Sequence, residues 1–263
     1  MILARELSLK EIVKIHKEVP DMELEMFVHG AMCISYSGRC LLSAYMTGRE
    51  ANLGDCAQPC RWNYNVYLEE KLRPGEFMPV EENEDGTYLM NSKDLCLIEH
   101  LGAIQKAGIT GLKIEGRNKS IYYLGVVARA YRQALDGKYT PALKKEFETL
   151  NHRGYTTGFA LGKAKKGETF PSRQPVRNYN FVAVVRPKGR LRDLNFIEVR
   201  NQIKTGDKID VITPDKVYKE KVFSITDESG KEIDIVNPGK TGQMAYLKLK
   251  NLYPEMSLMR KKI

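Results

Sequence analysis

The sequence predicts an α/β domain followed by a β domain, because the pattern of apolar residues changes in the last third of its 263 residues. Residues 1–165 alternate strand-like and helix-like segments, which favours a parallel sheet or a barrel of strands and helices. Three or four strands are visible there, too few to close an eight-stranded barrel alone. Residues 166–263 carry short strand-like runs between turn residues, a pattern typical of a small antiparallel β-barrel.

The first domain opens with a helix signal. Ser8 followed three residues later by Glu11 forms a capping box, and the apolar residues after it have helical spacing. Residues 23–28 alternate and predict a strand that runs into His29. The remaining elements are a helix over 92–107 with Ser92 as its cap, a strand over 111–115, a helix over 121–135 and a short helix from Thr140-Pro141.

The second domain is predicted from regularly spaced short strands. Gly, Pro, Asp and Asn separate them, as expected where turns join antiparallel neighbours. The predicted strands are 179–185, 196–199, 208–212, 217–225, 233–236 and 244–249.

Positive charge is concentrated in the second domain. The chain has a formal net charge of +9, of which residues 1–165 contribute +1 and residues 166–263 contribute +8. Such a basic module indicates attraction to a polyanion such as nucleic acid, or else a solvated basic surface without a partner. No stretch is apolar enough to span a bilayer, and no secretory signal opens the chain, so we expect a cytoplasmic protein.

Four of the five cysteines are close in sequence. Cys33, Cys40, Cys56 and Cys60 follow the spacing C-x6-C-x15-C-x3-C within a glycine-rich, loop-like segment. Thiolates are soft ligands, and four of them suit either zinc or an iron–sulfur cluster. The first pair is too widely spaced for a zinc knuckle, so we favour iron–sulfur, with zinc as the alternative. Cys96 falls on a predicted amphipathic helix and is interpreted as a packing residue.

Two pairs of polar residues follow predicted strands, where barrels of strands and helices place their chemistry. Glu25 and His29 are candidates to relay protons or to hold a small acid, or else a carboxylate that braces the cysteine loop. Glu115 is a third catalytic candidate. Arg117 is able to receive a carboxylate or a phosphate, or to pair with Glu115.

Further basic and aromatic residues are candidates for substrate binding. Arg39, Arg61 and Trp62 flank the cysteines, and Trp62 offers a face on which an RNA base can stack. A half-buried tryptophan is the alternative interpretation of Trp62. Lys113 and Lys119 are weaker candidates of the same kind as Arg117.

Several segments together resemble one known family, the collagenase-like peptidase U32 family. The signature within 25–43 consists of Glu25, Phe27, Gly30, Ala31, Cys33, Gly38, Cys40 and Ser43. Further matching segments are 54–62, 88–94, 112–117 and 155–159. Within the family, the sequence is most similar to the branch of prephenate-dependent tRNA uridine hydroxylases.

This resemblance implies a TIM-like barrel over residues 1–165, followed by a small β-barrel. It also implies formation of 5-hydroxyuridine at the wobble position of tRNA, with prephenate as a small carboxylic-acid co-substrate. Sister proteins hold a four-iron cluster on cysteines, which implies the same role for Cys33, Cys40, Cys56 and Cys60. Relatives carry an N-terminal section that supplies the first barrel strands, so we expect this chain to be part of a longer or split enzyme.

Three functions are therefore open. The first is a tRNA hydroxylase, or its C-terminal part. The second is a non-catalytic RNA-binding subunit that requires an N-terminal partner, and the third is a peptidase of the collagenase-like kind. A cysteine protease needs one activated thiol with a positioned base, and four thiols at ligand spacing argue against that chemistry.

Overall fold

The computed structural model describes the chain except residues 34, 63, 65–66, 70, 73, 76, 80–92, 163–175, 188 and 240–241. Two compact units are present. The first unit is formed by Met1–Arg117 with His152–Val176, and the second by Asn118–Asn151 with Arg177–Ile263. The helical segment 118–151 therefore groups with the C-terminal strands. The predicted boundary at 165/166 lies outside the described residues, as does most of the motif 88–94.

The described part of the first unit contains three α-helices and six strands. Its helices are α1 (Leu9–Glu18), α2 (Leu42–Thr47) and α3 (Leu101–Lys106). Its strands are β1 (Glu25–Ala31), β2 (Tyr67–Glu69), β3 (Phe77–Pro79), β4 (Asp94–Cys96), β5 (Gly111–Ile114) and β6 (Tyr155–Thr156). The capping box that begins α1 is confirmed: the Ser8 hydroxyl accepts the Glu11 N–H, and the Glu11 carboxylate accepts the Ser8 N–H.

Four strands of the first unit make one mixed sheet in the order β5-β1-β4-β6. The pairs β1–β5 and β4–β6 are parallel, as the alternating pattern predicts, but β1 and β4 are antiparallel. The sheet is therefore not uniformly parallel. The TIM-like barrel implied by the family resemblance stays a prediction.

The helix predicted over 92–107 is only partly present. Residues Asp94–Cys96 form strand β4, a short 3-10 turn follows at Ile98–His100, and the helix proper starts at Leu101. The predicted cap, Ser92, lies outside the described residues. Leu95 and Cys96 are buried because β4 pairs with β1 and β6, and this tertiary pairing overrides their helical spacing. Cys96 is a packing residue as predicted, but on a strand.

The described part of the second unit contains two α-helices and ten strands. The helices are α4 (Ile121–Leu135) and α5 (Pro141–Glu146). The strands are β7 (Tyr179–Val185), β8 (Asn195–Val199), β9 (Ile203–Lys204), β10 (Lys208–Ile212), β11 (Val217–Lys221), β12 (Ser224–Thr226), β13 (Glu232–Ile233), β14 (Ile235–Val236), β15 (Gln243–Lys248) and β16 (Leu258–Lys262). Helix α4 packs on the strands through Tyr122, whose ring stacks on Phe181 at 5.4 Å between centroids.

Eight of these strands form a single antiparallel sheet, in the order β11-β10-β16-β7-β8-β15-β12-β13, that curls into a half-barrel. The antiparallel part of the prediction is confirmed. The inner face is an apolar core of alternate residues, as period-2 strands require. Its fully buried members include Val182, Ile197, Val211, Ile225, Leu247 and Met259.

A buried charge network ties α5 to the curled sheet. Arg260 of β16 is 3% exposed and donates to the Asp210 carboxylate at 2.9 Å and to Glu146 at 3.0 Å. It also donates to the Thr149 hydroxyl at 2.7 Å. Every partner is provided by the second unit itself, so the burial of this guanidinium is compensated by several charge-assisted hydrogen bonds.

Candidate cysteine site

The cysteine site begins where β1 meets the segment that follows β5. The N–H of Glu115 donates to the His29 carbonyl at 2.9 Å, which brings the end of β1 against residues 115–117. Gly30 makes this approach possible. Its φ is +107°, and a Cβ atom there would lie 2.5 Å from the Glu115 carbonyl oxygen. Cys33 follows three residues later, and Arg5 interacts with the charges of both Glu115 and Cys33.

The four predicted ligand cysteines are all free thiols. Cys33 is exposed, and Cys40, Cys56 and Cys60 are half-buried. Partial burial raises the pKa of the Cys33 thiol, and the neighbouring Cys40 and Cys56 raise it further, whereas the Ser35 N–H and Arg5 lower it.

The same physical causes act on the last of the four thiols. Partial burial raises the pKa of the Cys60 thiol, Arg61 lowers it, and Cys33, Cys56 and Cys40 raise it further. The pKa of Cys60 therefore responds to the charge on the other three thiols, and that of Cys33 to the charge on Cys40 and Cys56. The structure brings all four cysteines into one electrostatic neighbourhood.

Backbone N–H groups point at two of the sulfurs. The Ser35 N–H bonds to the Cys33 sulfur, and the Gln58 N–H donates to the Cys56 sulfur at 3.3 Å. Gln58 has a φ of +56°, a left-handed conformation that is costly for a residue with a side chain. Donors of this kind stabilise thiolates and tune the potentials of clusters bound to them.

The loops that carry the cysteines are held by single polar contacts. Glu6 accepts the Ser37 N–H at 2.8 Å, which fixes the loop between Cys33 and Cys40. Ser43 of α2 is fully buried, and its hydroxyl accepts the N–H of Ala57 at 3.0 Å. Sequence periodicity gives no signal for these contacts, because the partners are 14 and 31 residues apart.

The donor set fits a thiolate-bound metal centre by its chemistry. Four free thiols, two of them with N–H donors, are what a zinc or iron–sulfur site requires of its protein. Among the described residues, no group of three or more His, Cys, Asp or Glu side chains is already arranged to hold an ion. The fit therefore rests on the identity and grouping of the donors.

Arg61 braces the cysteine loops from inside the unit. Its side chain is 9% exposed, donates to the Met32 carbonyl at 3.2 Å and pairs with Asp94 at 3.4 Å. Asp94 in turn accepts the Arg153 N–H at 3.3 Å. Arg61 thus links the turn that contains Cys60 to the residue before Cys33. Its predicted contact with RNA stays a prediction.

Arg5 is a site residue that the sequence did not reveal. Its guanidinium lies 3.7 Å from the centroid of the Phe27 ring and 3.5 Å from the Glu115 carboxylate. Burial lowers its pKa, and the negative charges of Glu115 and Cys33 oppose that change. Lys113 lies over the same Phe27 ring at 5.5 Å. The thiols therefore have a cationic and aromatic wall on one side.

Arg117 is exposed and shares Asp55 with Arg49. The distance from Arg117 to the Asp55 carboxylate is 3.5 Å, whereas Arg49 donates two hydrogen bonds to it at 2.7 and 2.9 Å. The hydrogen bonds from Arg49, and the charges of both arginines, lower the pKa of Asp55. Asp55 is therefore held more closely by Arg49 than by Arg117.

The other predicted site residues are dispersed. Glu25 starts β1, opposite Gly111, four residues before His29 at the other end of the strand. His29 is buried, and its ring lies 5.7 Å from the ring of Tyr155. Exposed residues beside the thiols are Arg39 and Trp62.

Lys119 belongs to the second unit, where its ammonium lies 4.9 Å from the centre of the Tyr123 ring. The structure therefore brings together Cys33, Cys40, Cys56, Cys60, Arg61 and Glu115 around the end of β1, with Lys113 and Arg117 nearby on the same unit.

The fold and the site define a class of two-unit proteins. In this class, a mixed α/β unit carries four clustered cysteines, and a curled antiparallel sheet follows it in the chain. Comparison with known proteins gives the family. The model of peptidase family U32 matches residues 1–169, and the model of the U32 C-terminal domain matches residues 177–260. This chain belongs to peptidase family U32.

Several relatives are named for RNA hydroxylation. The chain is 39% identical over 265 residues to tRNA hydroxylation protein P of Escherichia coli, covering 81% of this chain and 57% of the relative. It is 36% identical over 272 residues to tRNA hydroxylation protein P1 of Bacillus subtilis, covering 99% of this chain and 63% of the relative. The 23S rRNA 5-hydroxycytidine C2501 synthase of E. coli is 37% identical over 186 residues, covering 64% and 26%.

Other relatives carry the names of an uncharacterized protease and a collagenase. The chain spans about three fifths of the length of the first curated relatives that it matches. No helix in the described part of the chain has the length and apolar character needed to cross a membrane.

Proposed function

We propose that this chain is part of an enzyme that hydroxylates a uridine of tRNA, at the wobble position, with an iron–sulfur centre held by Cys33, Cys40, Cys56 and Cys60. The observation that carries the proposal is the group of four free thiols, two with N–H donors, in a chain similar to tRNA hydroxylation proteins. A four-iron cluster is the form that four thiolates complete, and zinc is the alternative.

An iron–sulfur centre supplies one-electron transfer when it is bound. The chain's own residues orient it and shape its surroundings. Arg61 and Asp94 fix the turn of Cys60 against the Met32 carbonyl, and the buried Ser43 hydroxyl fixes the residue after Cys56. Arg5 provides positive charge beside Cys33, which favours the thiolate over the thiol.

We propose prephenate as the small carboxylic-acid co-substrate, with Arg117 as the group that receives a carboxylate. Arg117 is exposed, and its contact with the Asp55 carboxylate is long at 3.5 Å. A guanidinium in this state can offer a fork of donors to a second carboxylate. Glu115, half-buried beside Arg5, is the carboxylate best placed to move a proton at the same face.

We propose tRNA as the macromolecular substrate, with Trp62 as a stacking face near the thiols. Trp62 is exposed, and it follows the turn that Arg61 anchors. An unpaired anticodon base is the part of tRNA that an aromatic side chain can receive. Lys113, Lys119 and Arg39 stay candidates for phosphate contacts.

The experiment is anaerobic purification followed by quantification of iron and sulfide and a visible spectrum, on wild type, Cys33→Ala and Cys96→Ala. We expect about four irons per chain with a broad visible absorption in wild type, loss of both in Cys33→Ala, and retention in Cys96→Ala. Cys96 is the matched control because it is a buried thiol on β4. Stoichiometric zinc, or equal metal loss in both variants, would sink the redox proposal.

Loaded protein is then incubated with a tRNA transcript and prephenate, and the digested RNA is analysed by mass spectrometry. A uridine heavier by one oxygen atom, absent without prephenate, supports the complete proposal. If the chain binds tRNA and holds the cluster but leaves the uridine unchanged, it is an RNA-binding subunit that requires a partner. Cleavage of a collagen peptide by the metal-loaded chain would instead support the peptidase alternative.

A further inference from the structure

The outer face of the curled sheet carries a cationic and aromatic patch that no part of the cysteine site uses. The Lys–Phe patch consists of Lys208 on β10, Lys221 on β11, Phe223 in the link to β12, and Lys248 on β15. All four side chains are exposed. Their chain neighbours Ile209, Val222 and Leu247 are buried, so the four residues project from the same outer surface.

Pairing between the strands brings the patch together. Lys208 and Lys221 are direct cross-strand partners on β10 and β11, and such partners have side chains on the same face. The N–H of Phe223 donates to the Lys248 carbonyl at 2.9 Å, and Ser224 is the cross-strand partner of Lys248. The backbone of Phe223 therefore lies next to Lys248, two residues along the chain from the Lys208–Lys221 pair.

The Lys208–Lys221 pair is electrostatically unfavourable without a ligand. Like charges directly opposite each other destabilise an antiparallel pair. Two residues further along the same strands, the cross-strand partners Asp210 and Lys219 have opposite charges and form an ion pair at 2.7 Å. In the part of the chain that the structure describes, no carboxylate pairs with Lys208, Lys221 or Lys248. An anion on the patch would relieve this repulsion.

The exposed ring of Phe223 indicates which class of anion binds the Lys–Phe patch. It is 55% exposed, although a phenylalanine ring gains more than most side chains from burial. Lysines that track a backbone, together with a ring on which a base stacks, are the combination by which proteins bind single-stranded nucleic acid. An acidic polypeptide would match the lysines but would leave the ring uncovered. The excess of +8 over residues 166–263 favours the same partner.

We propose that the Lys–Phe patch binds an unpaired segment of RNA, with phosphates on Lys208, Lys221 and Lys248 and one base stacked on Phe223. A base within a duplex is stacked on its neighbours and offers no free face, so the segment is single-stranded. This inference rests on the proposed action on tRNA. It adds a second RNA-contacting surface, on the unit that does not carry the thiols.

The test measures binding of the full chain to a fluorescently labelled tRNA transcript by anisotropy over a series of salt concentrations. The charge variant is Lys208→Gln with Lys221→Gln, and the ring variants are Phe223→Ala and Phe223→Tyr. The matched control is Lys204→Gln with Lys231→Gln, which removes the same charge from exposed positions outside the patch. Circular dichroism and urea midpoints check that every variant is folded.

We expect the Lys208/Lys221 variant to lower the slope of log affinity against log salt by about 1.4, since each lost phosphate contact on a single strand removes about 0.7. Phe223→Ala should weaken binding about 5- to 100-fold with the salt slope unchanged, because stacking releases no counterions. Phe223→Tyr keeps the ring and should bind like wild type. An unlabelled single-stranded RNA should compete, whereas duplex RNA and polyglutamate should not.

Three results would overturn the inference: no salt-dependent binding of wild type, equal effects of the patch and control lysine variants, or competition by polyglutamate as strong as by RNA. Failure of the proposed function looks different. If patch-dependent RNA binding persists but no uridine is hydroxylated and no cluster is found, the enzyme proposal fails and the RNA surface stands. If hydroxylation occurs and the patch variants bind normally, only the surface assignment fails.

Discussion

The two units differ in whether their buried or half-buried polar groups are satisfied by other protein groups. In the second unit, Arg260 is surrounded by Asp210, Glu146 and Thr149, so a buried charge is neutralised entirely by protein groups. In the first unit, two of the four free thiols have N–H donors and arginines lie nearby, but within the described residues the thiols are not already arranged to hold an ion. A network that satisfies itself stabilises a fold. A set of thiols held by loop contacts is instead suited to bind a metal centre.

The largest effect is expected from the removal of Arg260. Arg260→Met leaves Asp210 and Glu146 without their shared cation, and should lower the free energy of unfolding of the second unit by about 3–5 kcal/mol. Urea unfolding with hydrogen exchange by mass spectrometry localises the loss. The control is Lys219→Gln, because Lys219 pairs with the same Asp210 but is 76% exposed, and it should cost less than about 1 kcal/mol. Equal costs would show that the network is not a buried hub.

The next test addresses the close approach that builds the cysteine site. Gly30→Ala forces a Cβ atom to within 2.5 Å of the Glu115 carbonyl oxygen, at a φ of +107°. Strain and overpacking together should destabilise the first unit by about 2–4 kcal/mol. Gly38→Ala is the control, because Gly38 has a φ of +73° but nothing within 4 Å, and should cost about 1 kcal/mol. If both substitutions cost the same in urea, the β1–Glu115 contact is not tight.

A smaller effect is expected from the contact between the two cysteine-bearing loops. Ser43→Ala removes the acceptor of the Ala57 N–H inside the unit and should cost about 1–3 kcal/mol. Ser37→Ala is the control, since Ser37 uses its backbone N–H and not its hydroxyl to bind Glu6. Faster amide exchange around Ala57 in the first variant alone is the expected signature. Unchanged exchange there would mean that the Ser43 hydroxyl does not hold the loop.

The smallest test asks whether local helix energetics are alike in both units. Ser8 caps α1 and Ser120 caps α4, each through a side-chain oxygen that accepts an N–H three residues on. Replacement of either by Ala should cost about 1 kcal/mol, with Ser8 the larger because its capping box has a reciprocal bond from Glu11. Thermal unfolding of both variants decides the order. A larger loss at Ser120 would contradict this account.

Local signals predicted most of the helices and strands. The capping box of Ser8, the strands at β1 and β5, helix α4 and the Pro141 helix follow from caps, alternation and periodicity, which involve neighbours in sequence. The run 217–225 was predicted as one strand but divides into β11 and β12 at residues 222–223, and the run 233–236 divides into β13 and β14 at Asp234. The strands that were not predicted include β6, β9 and β16. Strand β4 was predicted as helix because its burial depends on β1, more than sixty residues earlier.

The four cysteines of the candidate site could be singled out from the sequence, but the contacts that hold their loops could not. The close spacing of the four cysteines can be read directly from the sequence. Arg61 was predicted as a candidate contact for RNA, and that contact stays a prediction. The burial of its side chain could not be predicted, because its partners, Asp94 and the Met32 carbonyl, are about thirty residues away in sequence. Arg5 lies against Phe27 and Glu115, 22 and 110 residues away, and the partners of Arg260 are 50 to 114 residues away. Sequence periodicity does not predict such contacts.

Trp62 is the single tryptophan of the chain, two residues after Cys60. Its emission is therefore an intrinsic optical sensor of what the thiols hold. A chromophore that absorbs in the near ultraviolet and visible, such as an iron–sulfur cluster, would quench this emission by energy transfer. Zinc, a d¹⁰ ion without such absorption, would leave it bright. One spectrum of the intact chain thus distinguishes the two metals before any substrate is added.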